Sequence, residues 1–416
     1  MQEKNNSTVP NVATPQPTVA SAVNDDLLQI EEYLSQHYLF RNNVLSGKYE
    51  VAKLTNPQGE KTEETSPFLP LTSERWNTII WDMQMALPDV KSVAKSAETF
   101  VHSDHTPTFD PVADYINKLP QWDGKDHVGQ LIGCIPGLNG YQQEWIRTWL
   151  RSMVAHWMKM DSEFGNDVVL LLIGAQGCGK STFCQRLIPK SLREYYLDHL
   201  NLANKFDKEM ALARNLLVNN DEFDQVKDSQ QAELKHTISK TTVNGRRIYA
   251  SVQTDQHRYA SFVATTNSRH PLKDPTGSRR YLCVEIPARQ IIDNSQDIDY
   301  EQLYAQIYAE LKDGKRCYFT REEMILMQQA NEPYQQNFDF TTMVLQCFRK
   351  PRKGEAVPAL QVSDMMMEVY SRYPQLACSP RNNVNLGVAL RAQGYQWKRT
   401  KHGAAYYAVI RSGQAA

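Results

Sequence analysis

Short apolar runs alternate with helical patterns through the middle of the chain. The runs cover residues 168–173, 216–218, 261–264 and 281–286. Apolar runs of this length are typical of strands, and the longer patterns between them are typical of helices. This alternation predicts an α/β core over residues 164–320.

A helix with a broad apolar face is predicted directly before this core. Its large side chains recur every four residues, at Trp145, Trp149, Met153 and Trp157. That spacing places them on one face of a helix, and a stripe of such bulky residues is usually buried. We therefore predict that residues 109–163 form a helical lead-in that packs against the sheet.

The N-terminal part of the chain shows weaker patterns. Residues 1–24 are rich in Asn, Thr, Pro, Val and Ala, a composition typical of a disordered tail. Residues 25–108 predict a small α+β accessory region, with a helix near Leu27–His37, strands around Lys48–Leu54 and a helix near Ser73–Ala86. Nothing in this region suggests catalysis.

The C-terminal residues 321–416 predict a winged-helix-like domain. Helical patterns cover Pro358–Tyr373 and Asn383–Gln393, and two strand patterns follow at residues 395–400 and 404–410. Helix, helix and hairpin in this order is the layout of a winged helix.

Basic residues gather in the second helix and the hairpin of this domain, as expected of a wing that contacts phosphates. The same fold also docks proteins, and the charge favours DNA. The basic residues are Arg381, Arg391, Lys398, Arg399, Lys401 and His402.

Composition adds three constraints. The 416 residues carry a formal net charge of −1, so nucleic-acid contacts have to come from local basic clusters. The seven cysteines show no metal-binding spacing and are typical of reduced thiols. No leader peptide and no membrane-spanning run is apparent, which predicts a cytoplasmic protein without a membrane partner.

The strongest chemical signal is the glycine loop, residues 174–181, which reads GAQGCGKS. It fits the GxxxxGK[ST] pattern of P-loop proteins, and an apolar strand precedes it while a helix follows it. Its glycines let backbone N–H groups face phosphate oxygens, so the loop is predicted to bind ATP. The predicted contacts are Gly174, Gln176, Gly177, Cys178, Gly179, Lys180, Ser181 and Thr182.

Two side chains of the glycine loop have separate predicted roles. Lys180 should reach the β and γ phosphates. Ser181 should ligate Mg²⁺ through its hydroxyl, because this small cation prefers oxygen ligands. ATP and Mg²⁺ are thus the predicted cofactors, and the alternative is a fortuitous glycine turn.

Hydrolysis also needs carboxylates near the phosphates. Asp221 and Glu222 follow the apolar run at residues 216–218. We predict that Asp221 holds Mg²⁺ and that Glu222 polarises the attacking water as general base. The alternative is a solvated acidic pair at the end of a strand.

Further candidates follow the run at residues 261–264. Asn267 could orient the water beside the γ-phosphate, or it could simply open a turn. Arg279 and Arg280 are candidates for an arginine finger that enters the site of a neighbouring subunit. Either arginine could instead sense phosphate within its own subunit.

A basic hairpin is predicted between the acidic pair and Asn267. The Asn244-Gly245 dipeptide is a signal for a tight turn. Basic and aromatic residues around it suit contacts to a nucleic-acid backbone and stacking on a base, although a solvated loop is the equally weighted alternative. The candidate contacts are Lys240, Arg246, Arg247 and Tyr249.

Together these motifs resemble the superfamily III helicase-like AAA+ (ASCE) ATPases, and in particular the virulence-associated protein E family of phages and genomic islands. The matching segments are LPQWDG at 119–124, GCGKSTF at 177–183, ATTN at 264–267 and LKDPTGSRR at 272–280. The resemblance spans about residues 110–330. The polar pair Asn219-Asn220 departs from the family's more apolar strand.

The resemblance implies a ring-forming ATPase linked to replication of a phage or other mobile element, with a ring such as a hexamer and often with a primase. No acidic metal triad stands out near the N-terminus, so a separate primase is expected if priming occurs. The preferred hypothesis is an ATP-driven helicase or translocase on single-stranded or forked DNA. The alternatives are a DNA-binding nucleotide switch in regulation or defence, and, with little support, a small-molecule kinase.

Overall fold

A computed structural model of the protein describes most of the chain. The description covers residues 19–54, 66–161, 165–200, 205–226, 228–240, 242–246, 253–272, 275–335, 340–373, 376, 380–401 and 403–411.

The N-terminal region combines three helices with a four-stranded sheet in the order β3-β2-β1-β4. Its core includes Leu34, Met83 and Ala97, one from each helix. The elements are α1 (Val19–His37), β1 (Tyr38–Asn43), β2 (Lys48–Lys53), β3 (Leu69–Pro70), α2 (Ser73–Ala86), α3 (Val93–Val101) and β4 (Thr108–Phe109).

The structure corrects the predicted start of this region. Helix α1 begins at Val19, so residues 19–24, predicted to belong to a disordered tail, are helical. The preceding part of the predicted tail lies outside the described residues. Two elements, β1 and α3, had no clear signal in the sequence.

The lead-in consists of three helices, α4 (Pro111–Asn117), α5 (His127–Gly133) and α6 (Gly140–Trp157). Helix α6 starts with a capping box, in which Asn139 and Gln142 each bond the other's backbone N–H. The indole N–H groups of Trp149 and Trp157 donate to Val168 O at 2.9 Å and to Leu216 O at 3.1 Å. The tryptophan stripe therefore packs against the sheet, as its spacing predicts.

The central region is α/β and contains a five-stranded sheet in the order β11-β5-β10-β7-β6. The sheet consists of β5 (Val169–Ile173), β6 (Tyr196–Leu197), β7 (Leu217–Asn220), β10 (Ser261–Thr266) and β11 (Tyr281–Glu285), and the region also contains β8 (Thr242–Arg246) and β9 (Gln253–His257). Its α-helices are α7 (Lys180–Arg186), α8 (Lys205–Arg214), α9 (Asp228–Ile238) and α10 (Tyr300–Lys312). Short 3-10 helices lie at Lys190–Tyr195, Phe223–Gln225 and Pro275–Arg280.

All four pairings in this sheet are parallel. Every residue of β5 is buried, which explains its uninterrupted apolar sequence. Parallel strands all end at one border of the sheet, called here the carboxyl edge, and begin at the opposite border, called the amino edge. Strand β10 lies between β5 and β7. The residues that follow β10 therefore lie between those that follow β5 and those that follow β7.

Strands β8 and β9 form a separate antiparallel hairpin. The Asn-Gly pair predicted as its turn lies inside β8, where Asn244 pairs with Asp255 and Gly245 with Thr254. The prediction of a tight turn at this pair is thus wrong, because ladder pairing overrides the local turn preference. The chain between Arg246 and Gln253 lies outside the described residues.

The C-terminal region follows α11 (Arg321–Ala330) and a 3-10 helix at Glu332–Tyr334. Its three-stranded sheet has the order β13-β15-β14, and β12 pairs with β16. Its elements are α12 (Phe340–Cys347), β12 (Phe348–Arg349), β13 (Ala359–Gln361), α13 (Val362–Arg372), α14 (Pro380–Ala392), β14 (Trp397–Thr400), β15 (Gly403–Tyr407) and β16 (Val409–Ile410).

Three details differ from the predicted layout of this region. A strand, β13, precedes the first predicted helix, which begins at Val362. Helix α14 begins at Pro380, three residues earlier than predicted, because proline is favourable in a first helical turn. Helix α11 packs against the Pro275–Arg280 helix and its Met327 joins the central core, so residues 321–335 belong with the sheet.

Candidate functional site

The glycine loop joins β5 to α7 at the carboxyl edge. Gly177 and Gly179 have φ values of +80° and +88°, a backbone region that glycine adopts without steric cost. A Cβ atom on Gly179 would lie 2.5 Å from Asn294 Nδ2, so a side chain here would displace that amide from the loop. The glycines of the motif are therefore needed for the shape of the loop.

Lys180 is buried and points back into the glycine loop. Its Nζ donates to Gly174 O at 2.8 Å, to Ala175 O at 2.9 Å and to Asn267 Oδ1 at 3.0 Å. The structure thus brings together Lys180 and Asn267, which are 87 positions apart in sequence. Strand β10 accounts for this contact, because it delivers Asn267 directly beside the loop after β5.

Ser181 and Asp221 also meet at the carboxyl edge. The Ser181 hydroxyl donates to Asp221 Oδ1 at 3.4 Å. Two oxygens at this separation suit neighbouring positions around Mg²⁺, which takes oxygen ligands in octahedral geometry and keeps several waters. Within the described residues no group of three or more His, Cys, Asp and Glu side chains could hold a metal ion. A magnesium ion bound together with phosphates needs only one or two protein ligands.

Two threonines at the end of β10 complete the site. Thr265 Oγ1 donates to Asp221 Oδ1, and Thr266 Oγ1 donates to Asp224 Oδ1 at 2.5 Å. Neither role was predicted, although both threonines stand in the segment at 264–267. The bond from Thr265 orients Asp221 beside the loop, and the bond from Thr266 holds the turn that follows it.

Glu222 is exposed and has a left-handed backbone, with φ 52° and ψ 45°. Such a conformation costs a non-glycine residue about 1 kcal/mol or more and is common at functional sites. Glu222 lines a cleft of about 460 Å³ together with Asp198 and Asp221. The strained turn places the Glu222 carboxylate at this cleft rather than in the sheet.

The polar pair at the end of β7 is buried. Asn219 donates through Nδ2 to Asp198 Oδ1 at 3.0 Å, across from the end of β6. Asn220 Nδ2 has no hydrogen-bond partner among the described residues. The polar residue Asn219 therefore links the end of β7 to the residue that follows β6, next to Asp221.

Arg279 and Arg280 are not brought to the glycine loop of their own chain. They immediately precede Tyr281, which pairs with Val169 at the beginning of β5. The loop follows the other end of β5, which is five residues long, so the two edges lie about 16 Å apart. Arg279 is exposed at the amino edge, and Arg280 is half-buried there.

The predicted nucleic-acid contacts are partly visible. Lys240 follows α9 and is half-buried, and the backbone of Arg246 lies in β8. Arg247 and Tyr249 lie outside the described residues. The hairpin feeds into the beginning of β10 and hence into the amino edge.

Basic residues of the C-terminal region surround aromatic rings. Arg391 Nε donates to Tyr406 OH at 2.9 Å, and its guanidinium lies 5.4 Å from the centre of the Trp397 ring. Lys398 Nζ lies 5.7 Å from the centre of the Tyr407 ring. An exposed basic and aromatic surface follows from these contacts. It consists of Arg391, Trp397, Lys398, Arg399 and Lys401.

The sequence model of the virulence-associated protein E-like domain matches residues 116–336. The chain belongs to this family. The resemblance predicted from the motifs is thereby confirmed. The matched VapE-like domain includes the glycine loop, the sheet and α11, and it ends before α12.

Among solved structures, two forms of the C-terminal region of NrS-1 are similar to this chain. One, described as the A form apo structure, has a TM-score of 0.42 and 12% identity, covering 93% of this chain and 99% of that chain. The other has a TM-score of 0.43 and 11% identity with the same coverage. Scores this low support no inference about fold or activity. No curated protein sequence matches the chain.

The LPQWDG segment of the VapE-like domain and the residues just after it contact two helices, α6 and α10. Asp123 N–H donates to Gln302 Oε1 of α10 at 2.9 Å. Just beyond the segment, Asp126 accepts two bonds from Arg147 of α6 and caps α5. Hydrogen bonds from Arg147 hold the pKa of Asp126 well below its usual range. These contacts fasten the chain between α4 and α5 to α6 and α10.

A buried arginine holds the root of the hairpin in the VapE-like domain. Arg258, which follows β9, donates to His156 Nε2 at 3.1 Å, to Ile238 O at 2.8 Å and to Asn166 O at 2.9 Å. His156 Nδ1 therefore carries the proton, which it donates to Asp161 Oδ2 at 2.6 Å. Burial lowers the pKa of His156 to about 4, and Arg258 acts in the same direction.

None of the described helices combines the length and the apolar character that a membrane span requires.

Proposed function

We propose that this VapE-like protein is an ATP- and Mg²⁺-dependent DNA translocase or helicase that acts in replication of a phage or other mobile element. The observation that carries the proposal is the convergence of Lys180, Ser181, Asp221 and Asn267 at the carboxyl edge. A P-loop lysine, a hydroxyl, a carboxylate and an amide are the groups that phosphoryl transfer to water requires.

Each residue has a defined task in this proposal. The N–H groups of the glycine loop bind the phosphates, and Lys180 exchanges its bonds to loop carbonyls for bonds to phosphate oxygens. Ser181 and Asp221 would hold Mg²⁺, which would supply positive charge to stabilise the phosphates. Glu222 accepts a proton from the attacking water, and Asn267 orients that water.

The position of the arginines supports an oligomer. Arg279 and Arg280 lie at the amino edge, about 16 Å across the sheet from the carboxyl edge, and this separation argues against sensing phosphate within one subunit. An exposed arginine at the amino edge suits a finger that completes the site of the next subunit in a ring. The proposal therefore requires a homo-oligomer, such as a hexamer.

Two surfaces are proposed to contact DNA. The C-terminal elements α13, α14, β14 and β15 have the order of a winged helix, and the basic and aromatic surface there suits phosphate contacts and stacking. The hairpin of β8 and β9 enters the beginning of β10 at the amino edge, and Asn267 follows the other end of the same strand, so β10 connects the proposed nucleotide site to the hairpin. A primase would come from another polypeptide.

The proposal is tested by measuring ATP hydrolysis by the purified protein with and without single-stranded DNA, followed by strand displacement on a forked substrate. DNA-stimulated hydrolysis with ATP-dependent displacement supports a motor. ATP binding without turnover under any DNA condition would instead support the nucleotide switch.

A further inference from the structure

The chain between β11 and α10 lies against the glycine loop. We call residues 286–299 the strap. Two of its groups donate to carbonyls of the loop: Ile292 N–H to Cys178 O at 2.9 Å and Asn294 Nδ2 to Gly179 O at 2.9 Å. The strap is therefore bonded to two consecutive peptide units of the phosphate-binding motif.

Peptide geometry gives these two bonds a consequence. In a planar trans peptide the C=O of one residue and the N–H of the next point in opposite directions. Holding Cys178 O against the strap directs the N–H of Gly179 away from it. Asn294 does the same for the N–H of Lys180, together with Phe183 N–H, which donates to Gly179 O at 3.0 Å. Both N–H groups belong to the set that a glycine loop offers to phosphate oxygens.

We propose that the strap sets the phosphate-binding form of the glycine loop and that Asn294 is a positioning residue for the nucleotide. This inference rests on the proposed function, since it assumes that the loop binds nucleotide. Asn294 acts through the loop backbone and needs no contact with the phosphates.

The Asn294 amide is itself held in one orientation. Its Oδ1 accepts from Arg186 at 3.4 Å, which leaves Nδ2 to donate to Gly179 O. Arg186, at the end of α7, also donates to Gln296 O of the strap. The strap is thus hydrogen-bonded both to the glycine loop and to helix α7, on one side of the loop.

The far side of the strap is fixed by the lead-in. Asp293 N–H donates to Cys134 O at 2.9 Å. A Cβ on Gly137 would lie 2.6 Å from Pro287 Cγ, so the lead-in and the strap are in close contact. Because the strap is held from both sides, it can impose a shape on the glycine loop rather than follow it.

The test compares Asn294→Asp and Asn294→Ala with the native protein and with Gln290→Ala. Aspartate has the shape of asparagine but cannot donate to Gly179 O, and Gln290 is an exposed amide of the same strap. Affinity for Mg-ADP is measured by titration, and KM and kcat for ATP by steady-state hydrolysis. Both Asn294 variants should raise Kd and KM about tenfold, the effect of one lost hydrogen bond, with kcat nearly unchanged.

Asn294→Gln provides a rescue, because its side-chain amide can still donate to Gly179 O. Affinity closer to native in the glutamine variant than in the alanine variant would support the positioning role even if all variants melt at lower temperature. Native-like Kd in every Asn294 variant would overturn the inference. A native protein that fails to bind Mg-ADP would refute the proposed function itself and the inference with it.

Discussion

The two edges of the central sheet differ in the chemistry they present. The carboxyl edge carries Lys180, Ser181, Asp221 and Asn267 in mutual contact. The amino edge carries exposed Arg279 and the root of the hairpin, anchored by buried Arg258. The carboxyl edge has the groups proposed to bind nucleotide, but neither Arg279 nor Arg280 lies there. The amino edge has these two arginines but lacks the proposed nucleotide-binding groups. Complementary edges of this kind are expected where one subunit completes the site of another.

Removing the lysine of the carboxyl edge should have the largest effect. Lys180→Ala deletes the cation that would stabilise charge on the phosphates, so ATP hydrolysis should fall by about 10³-fold or more. Lys190→Ala, which removes an exposed lysine after α7, is the matched control and should keep native activity. Substantial hydrolysis by Lys180→Ala would show that ATP is not hydrolysed at the carboxyl edge.

Glu222→Gln should separate binding from turnover at the same edge. The amide cannot accept a proton from water, so kcat should fall by about 10²- to 10⁴-fold while Mg-ADP affinity stays within about twofold of native. Rates are measured by phosphate release and affinity by titration. A native rate in this variant would remove Glu222 from the role of general base and point to the neighbouring Asp198 or Asp224.

Acid should lower the free energy of unfolding through His156, which accepts a bond from Arg258 at the root of the hairpin. Its pKa is about 4 in the folded protein and about 6.5 when unfolded, so the unfolded chain binds the proton first as pH falls. Stability is complete above about pH 6.5 and decreases toward pH 4, by up to about 3 kcal/mol. The lowered pKa of His257 adds in the same direction.

The measurement is the free energy of unfolding in denaturant at pH 7.5 and pH 5. The groups that face His156 are Asp161, Arg258 and His257, and depressed carboxylate pKa values act only at lower pH. His156→Gln should reduce the loss between the two pH values. Equal losses in both proteins would assign the pH dependence to other groups.

The smallest effect is expected at the lead-in, away from both edges. Asp126→Ala removes the cap of α5 and both bonds from Arg147, and should lower the free energy of unfolding by about 1 to 2 kcal/mol. Asp114→Ala, which breaks an exposed pair with Lys118, is the control and should cost about 0.3 kcal/mol. An unchanged melting temperature in Asp126→Ala would show that the segment after LPQWDG does not fasten the lead-in.

The sequence predicted best those features that depend on local pattern. The apolar runs became β5, β7, β10 and β11, and the four-residue tryptophan spacing became the buried face of α6. The glycine loop was identifiable because its glycines satisfy backbone needs within eight residues.

Features that depend on contacts between distant segments could not be predicted. Asn294 lies 115 positions from Gly179, and nothing in its neighbours marks it as a partner of the loop. The positions of Arg279 and Arg280 follow from the parallel pairing of β11 with β5, which the runs alone do not specify. The prediction of a turn at Asn244-Gly245 is wrong for the same reason, because pairing with β9 outweighs the preference of this pair for a tight turn.

The most direct test of shared sites mixes two inactive proteins. Lys180→Ala retains the arginines of the amino edge, and Arg279→Ala or Arg280→Ala retains the glycine loop. If each site is built from two subunits, the mixture should regain a substantial part of native DNA-stimulated hydrolysis, because some interfaces then carry both an intact loop and an intact arginine. A mixture no more active than the two variants measured separately would contradict the account.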